Sequence, residues 1–401
     1  MVHLSCTYGS DALNDIETLA AALRGALPED GLTDRLVDVA MSHGVEALLA
    51  RTPAALAAAA AIRARLKGIV AGYQALLTMR DREAARVLEL LAAGGISPLL
   101  IKGAHLSHAI YPSPVLRPRE DTDLVIAEAE QSVLDGILIA AGYTRSVHVR
   151  GSLILGQCHY RRADRTGVVH ALDVHWRVTT PLVLRHVLPV AELRGSRVAI
   201  PALGAHAFGP SPRHALLIAC LHLGAHHRAA DLLIWLHDVA LLGEHLRGRE
   251  ADAFLEDMAA AEVSTMCAAA LDRARRYFDG PALASLARRA HAGSAGRTEP
   301  SARLLRLSRP AEELWLDLQY CEGWGERATL LREHLCPDAG YMRATSAAAG
   351  WLPLAYARRA VSGARKWFTA NGADRRTAAP DGPPAGSAAA SALQAPVKTT
   401  R

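Results

Sequence analysis

Two aspartates separated by one residue, Asp121-Thr122-Asp123, open a short apolar run through Ile126. On a β-strand, residues i and i+2 point to one face, roughly 6.5–7 Å apart at the backbone. Carboxylates so placed converge on divalent cations of the kind that hold a nucleoside triphosphate. A third carboxylate, Asp173, lies in an alternating segment. There Leu172, Val174 and Trp176 share one face, and Ala171, Asp173 and His175 share the other. Upstream, the apolar run Ile96–Ile101 ends in Lys102-Gly103. A glycine opening a helix straight after a strand lets phosphate oxygens approach backbone N–H groups and the helix N-terminus. The chemistry these residue types support is metal-assisted nucleotidyl transfer. Asp121, Asp123 and Asp173 are expected as metal ligands, with Asp173 also the base for an acceptor hydroxyl. Lys102, Gly103 and Arg117 are expected to hold the nucleotide phosphates. The expected cofactor is Mg2+ or Mn2+.

An isolated Asp-x-Asp is common at turns and strand ends. Here it follows a strand, a glycine, a helix and an arginine, and an aspartate on a later strand comes after it. The lysine also stands out. Of 45 basic residues, only Lys67, Lys102, Lys366 and Lys398 are lysine, so Arg serves almost wherever a positive charge will do.

The surrounding pattern predicts the elements that position these groups. Residues 1–94 read as an N-terminal helical region, with a long helix over 54–94 closed by Gly94-Gly95. Residues 95–200 read as an α/β core. It comprises strands at 96–101 and 122–126, a helix over 128–141, and a hairpin of 153–160 with 168–178 across the turn 162–167. Residues 201–370 return to helix, with spans at 213–225, 230–246, 251–270, 310–320 and 326–334. Residues 371–401, rich in Ala, Pro, Gly and Ser without apolar periodicity, are expected to be a disordered tail. The fold class is α+β: a small mixed sheet with flanking helices and a larger helical C-terminal region.

At 401 residues with half of them apolar, the chain can bury a substantial core. It holds no uncharged apolar stretch of about 18 residues, so no membrane span is expected. No basic segment followed by an apolar run marks the N-terminus, and a cytoplasmic location is expected. The six cysteines form no CxxC pair and are expected to include reduced, partly buried thiols rather than a disulfide framework or zinc knuckle. A net charge of +5, spread along the chain, does not point to a nucleic-acid partner.

The stretch Leu99-Leu100-Ile101-Lys102-Gly103-Ala104, then Leu106, Tyr111-Pro112, Arg117-Pro118 and Asp121-Thr122-Asp123-Leu124-Val125, resembles the bacterial uncharacterised nucleotidyltransferases of the polymerase-beta-type superfamily. Leu172-Asp173-Val174-His175-Trp176-Arg177 resembles their Asp-x-His-Trp strand. The helices around Leu221-His222 and Trp235-Leu236-His237-Asp238 resemble their helical part, as does the segment 337–343. The resemblance runs from about Leu36 to Lys366. It implies a nucleoside triphosphate as substrate, Asp121 and Asp123 as metal ligands and Asp173 as the third carboxylate. The family has no single acceptor, so a small molecule, a peptide and a protein all remain open. Ala104 stands where the wider superfamily has Ser after the glycine, and Thr122 where an aliphatic residue is usual.

Two other readings come from the same chain. His222, His226, His227, His237-Asp238 and His245 resemble the ligand set of HD-type metal phosphohydrolases. A non-catalytic nucleotide-binding accessory protein would also keep the strand and turn pattern. Trp235 and Trp315, each inside a helical pattern, are expected in the core.

Overall fold

The computed structural model describes residues 10–146, 151, 153–227, 231–337, 339–345 and 351–359. The expected tail, and residues 360–370 of the expected helical region, lie outside these. The N-terminal region is helical: α1 (Ser10–Leu23), α2 (Asp34–Ser42), α3 (Glu46–Leu49), α4 (Pro53–Ala57) and α5 (Ala60–Ala93). The helix expected over 54–94 is two helices, because Ala58 and Ala59 are extended, with ψ 163° and 149°. Thr52 starts the first piece by accepting from Ala55 N at 3.2 Å. No glycine or proline marks the break, so an Ala-rich run hides it. At the far end Gly95 takes φ 80°, the left-handed turn that closes α5.

Five strands form one mixed sheet: β1 (Leu99–Leu100), β2 (Asp121–Val125), β3 (Thr144–Arg145), β4 (Gln157–Ala163) and β5 (Val169–His175), in the order β1-β2-β5-β4-β3. β2 runs parallel to β5, and the other neighbours are antiparallel. The expected hairpin is β4–β5, shorter at both outer ends than the apolar pattern indicates. Helices α6 (Lys102–Ala109), α7 (Gln131–Ala140) and α8 (Val190–Gly195), and a two-stranded ribbon of β6 (Val198–Ala199) and β7 (Phe208–Gly209), complete this part. Gly209 is required by close approach: a Cβ there would lie 2.3 Å from the His105 ring of α6.

The two sheet faces have different neighbours. Leu124, Leu172 and Val174 pack with Leu88 and Leu91 of α5 and Leu134 and Leu138 of α7. Leu99, Ile101 and Val125 join a larger core built from helices at both ends of the chain. That core holds Ile16, Leu19 and Val37 together with Leu216, Leu236, Phe254 and Leu271. Its C-terminal share comes from α9 (Pro212–His226), α10 (Leu233–His245), α11 (Gly248–Ala260), α12 (Ser264–Tyr277) and α13 (Pro281–Ser294).

The helix expected over 251–270 is divided between α11 and α12. Glu262 adopts φ 54°, and Glu299 accepts from Ser264 N at 3.0 Å and Thr265 N at 2.7 Å, satisfying the start of α12 from a distant residue. Trp315, expected in the core, is 63% exposed on a later helix, Pro310–Gln319. Among the described residues, Cys158, Cys220, Cys267 and Cys321 are buried free thiols and Cys336 is an exposed one. Among the described residues no helix is long and apolar enough to cross a membrane.

His43 ties the N-terminal helices to α10. It is 2% exposed, its Nδ1 accepts from Leu233 N at 3.3 Å, and its carbonyl accepts from Ile234 N at 3.2 Å. Burial lowers its pKa from 6.5 to about 4, with Asp231 pulling the other way. Below 6.5 the unfolded chain therefore takes up a proton that the folded chain refuses. Its contribution is complete at neutral pH and declines as pH falls from 6.5 towards 4. Urea unfolding across that range should show stability decreasing with acid, with a shallower decrease in His43→Gln; identical pH profiles for the two proteins would refute this role.

Candidate active site

The site rests on strand register. Parallel pairing of β2 with β5 makes Asp123 the direct neighbour of Asp173, and Asp121 the neighbour of Ala171. Alternation turns Asp121, Asp123, Asp173 and His175 to one face, opposite the packed Leu124, Leu172 and Val174. Ile101 N donates to Asp123 O at 3.1 Å, so the chain leaves the sheet directly beside Asp123. The next residue, Lys102, begins α6 with φ 51°, a left-handed conformation that costs a non-glycine residue about 1–2 kcal/mol. Its Nζ lies 2.7 Å from Asp123 Oδ1 and 3.4 Å from His175 Nε2. His175 Nε2 lies 3.0 Å from the same Asp123 oxygen. On the other side His159, the β4 partner of Asp173 in the ladder, bonds Asp173 Oδ1 through Nδ1.

The charges are unequally balanced. Burial alone would raise the Asp123 pKa, but Lys102 and His175 hold it well below the usual carboxylate range. Burial disfavours the Lys102 ammonium, yet Asp123, Asp121 and Asp173 together raise its pKa. Asp121 has no such close partner. Burial first, and then the like charges of Asp123 and Asp173, raise its pKa to about 7. Lys102 and Arg119 pull the other way without offsetting this.

Gly103 is buried in the first turn of α6, where a Cβ would lie 3.5 Å from Arg117 Nη1 and from Arg119 Cβ. Arg117 is buried and held by α10. Its Nε and Nη2 donate to the Asp238 carboxylate at 2.8–3.0 Å, and Nη1 donates to Pro118 O at 2.9 Å. Tyr111 Oη donates to Asp238 Oδ1 at 2.7 Å. Of the two cations named from sequence, Lys102 is the one paired with the carboxylates. Arg119 supports β2 from behind, donating to Thr122 Oγ1 at 2.6 Å and pairing with Asp81 of α5. Thr122, the departure from an aliphatic residue, thus accepts a buried guanidinium. A cavity of about 40 Å³ opens beside Lys102, lined also by Leu106, Arg117, Ile218, His222 and Trp235.

A family model described as an uncharacterised nucleotidyltransferase matches residues 30–279. The chain belongs to this uncharacterised nucleotidyltransferase family. No curated protein matches it. Nucleotidyltransferases use divalent metals, and the residues of this family member fit one. Asp123, Asp173 and His175 bring ligand atoms within 4.8 Å of one another, and the crowding of like charge around Asp121 is what a cation would relieve. Asp121 shares the face but stands outside those three converging groups.

Sequence reasoning placed His175 on the Asp173 face without assigning it a role, and it did not single out His159. The signal for both is alternation plus hairpin register: His175 is i+2 from Asp173, and His159 is its cross-strand partner. It also missed Asp238 as the anchor of Arg117, a pairing across 121 residues that no local pattern carries. Of the groups in the phosphohydrolase reading, His222, His226 and His227 gather beside Trp235, whereas His237 and Asp238 are engaged elsewhere. His237 Nδ1 lies 2.9 Å from Tyr111 Oη. His222 stacks edge-on against Trp235, with centroids 5.3 Å apart. Both Asp238 oxygens accept from Arg117 or Tyr111.

Removing one partner of a buried, hydrogen-bonded ion pair costs about 3–5 kcal/mol, because the other charge stays buried. Asp238→Asn should therefore lower the free energy of unfolding in urea by about that amount. Tyr111→Phe should lower it by only about 1 kcal/mol. An Asp238→Asn variant as stable as the unaltered chain would show that the pair does not hold this turn.

Proposed function

We propose that this family member transfers a nucleoside monophosphate from a nucleoside triphosphate to the nucleophile of an acceptor, with Mg2+ or Mn2+ held by Asp121, Asp123 and Asp173. The observation that carries the reading is the side-by-side placement of Asp123 and Asp173 on parallel strands, with Asp121 two residues earlier on the same face. A bound divalent ion supplies charge neutralisation for the triphosphate and polarises the reacting phosphate. With a divalent ion held by the carboxylates, Lys102 would offer its ammonium to the phosphates. Gly103 keeps the start of α6 bare for their approach. Asp173 takes the proton of the acceptor hydroxyl, and His159, hydrogen-bonded to it, holds the carboxylate in place. The acceptor oxygen then bonds the α-phosphorus as the bond to the departing pyrophosphate breaks. The cavity beside Lys102 supports entry of one substrate between α6 and the helices α9 and α10.

The accessory-protein reading differs in one observable, turnover. Nucleotide binding that depends on Mg2+, together with pyrophosphate release, should be present in the unaltered chain. Both should fall by about 10²-fold or more in Asp121→Ala plus Asp123→Ala. Equal behaviour of the two proteins overturns the assignment. Binding without pyrophosphate release, across a broad panel of hydroxyl and amine acceptors, selects the accessory reading instead.

A further inference from the structure

A second set of metal-ligating atoms converges outside this site. Glu192 of α8, His214 in the first turn of α9 and Asp257 of α11 each bring one such atom within 4.8 Å of the others. His214 Nε2 lies 3.4 Å from Glu192 Oε1 and 3.5 Å from Asp257 Oδ2. The His214 side chain is 0% exposed, yet its Nε2 makes no hydrogen bond. Asp257 Oδ2 is likewise buried without a hydrogen-bond partner, although Arg213 Nε, itself unpartnered, lies 3.2 Å away. The other ring nitrogen of His214, Nδ1, is 2.9 Å from Ser196 Oγ.

An unmade hydrogen bond on a buried polar atom costs about 1–3 kcal/mol, so native structures rarely leave one without a reason. The spacing supplies the reason. Protein N–H···O bonds cluster near 2.9 Å, whereas ligand atoms about 2.0–2.1 Å from a tetrahedral metal stand roughly 3.4 Å from one another. The separations from His214 match the second figure. Ser196 Oγ donates to Glu192 O at 3.3 Å, so toward His214 it accepts from Nδ1–H; that leaves the imidazole lone pair on Nε2, the outer-shell arrangement that orients a metal-binding histidine.

We infer that Glu192, His214 and Asp257 form a second divalent-metal site, with one imidazole and two carboxylates suited to Zn2+ and a fourth position for water. The ion would join α8, on the sheet side of the molecule, to α9 and α11 of the helical body, and so would act as a structural cross-link. The Arg213 side chain is 29% exposed, so its guanidinium can turn to solvent when a metal neutralises Asp257. This reading does not depend on the proposed transferase chemistry.

The test is zinc binding to the metal-free full chain carrying Asp123→Asn plus Asp173→Asn, which removes the other converging set. Calorimetry should show one Zn2+ bound per chain and a higher thermal unfolding midpoint. Glu192→Gln and Asp257→Asn, added singly, should each weaken binding by about tenfold or more and remove the rise in midpoint. The Glu192 side chain is 48% exposed, so its substitution is expected to cost the fold little. The same two substitutions are also compared in the otherwise unaltered chain, where the zinc-dependent rise should again shrink. No binding tighter than roughly 100 μM would mean that Arg213 alone satisfies the cluster and would overturn the inference. Binding unchanged by both substitutions would place the zinc elsewhere and overturn it equally.

Discussion

The parallel register of β2 and β5 is the constraint on which the site depends. It sets Asp123 directly beside Asp173, and two carboxylates at adjacent ladder positions repel each other unless something positive lies between or beside them. A slip of one residue would turn the aspartates into the apolar layer of Leu88, Leu134 and Leu138, and would expose Leu124 and Leu172. Burial of those leucines therefore holds the like charges together. Fully burying a leucine is worth about 1.5–3 kcal/mol, so a few such side chains outweigh a single like-charge contact. The apolar layer is what makes an unfavourable arrangement of charge persistent.

The positive charge comes from an unusual place. Lys102 sits at the end of β1, in a left-handed conformation that a glycine would adopt without cost. An ordinary helical φ would send its side chain elsewhere, and the backbone strain is met by the ion pair with Asp123. The rest of the neighbourhood braces this one contact. Arg119 and Asp81 join β2 to α5, and Arg117 and Asp238 join the turn before β2 to α10. The carboxylate face is thus fixed from the sheet, from the long N-terminal helix and from the C-terminal helices together.

Much of this arrangement was legible because it is local. Alternation placed Asp121 with Asp123 and Asp173 with His175, and the Lys-Gly step after an apolar run marked the start of α6. The mixed sheet beside a helical body followed from the change of apolar period. What stayed hidden was set at a distance. The break at Ala58-Ala59 and the division at Glu262 carry no glycine or proline, and the second depends on Glu299 reaching back to Ser264 and Thr265. Arg117 looked available for phosphates because its partner, Asp238, lies in another part of the chain. Trp315 has helical spacing, but spacing alone does not say which face of a peripheral helix is covered.

The helical body is also part of the site rather than a neighbour of it. Its core includes Leu99, Ile101 and Val125 from the sheet, and its helices line the cavity beside Lys102 through Ile218, His222 and Trp235. Burial, and then the nearby Lys102 charge, push the His222 pKa well down, so this wall presents a neutral imidazole and an indole rather than more charge. Lys102 and Arg117 give the cavity a cationic side, and Leu106, Ile218 and Trp235 give it an apolar one. The cationic side suits an anionic group, and the apolar side suits an uncharged one. Because Asp238 on that wall also anchors Arg117 on the cationic side, any shift of α10 moves both surfaces at once. The two halves of the cavity can therefore be repositioned only together.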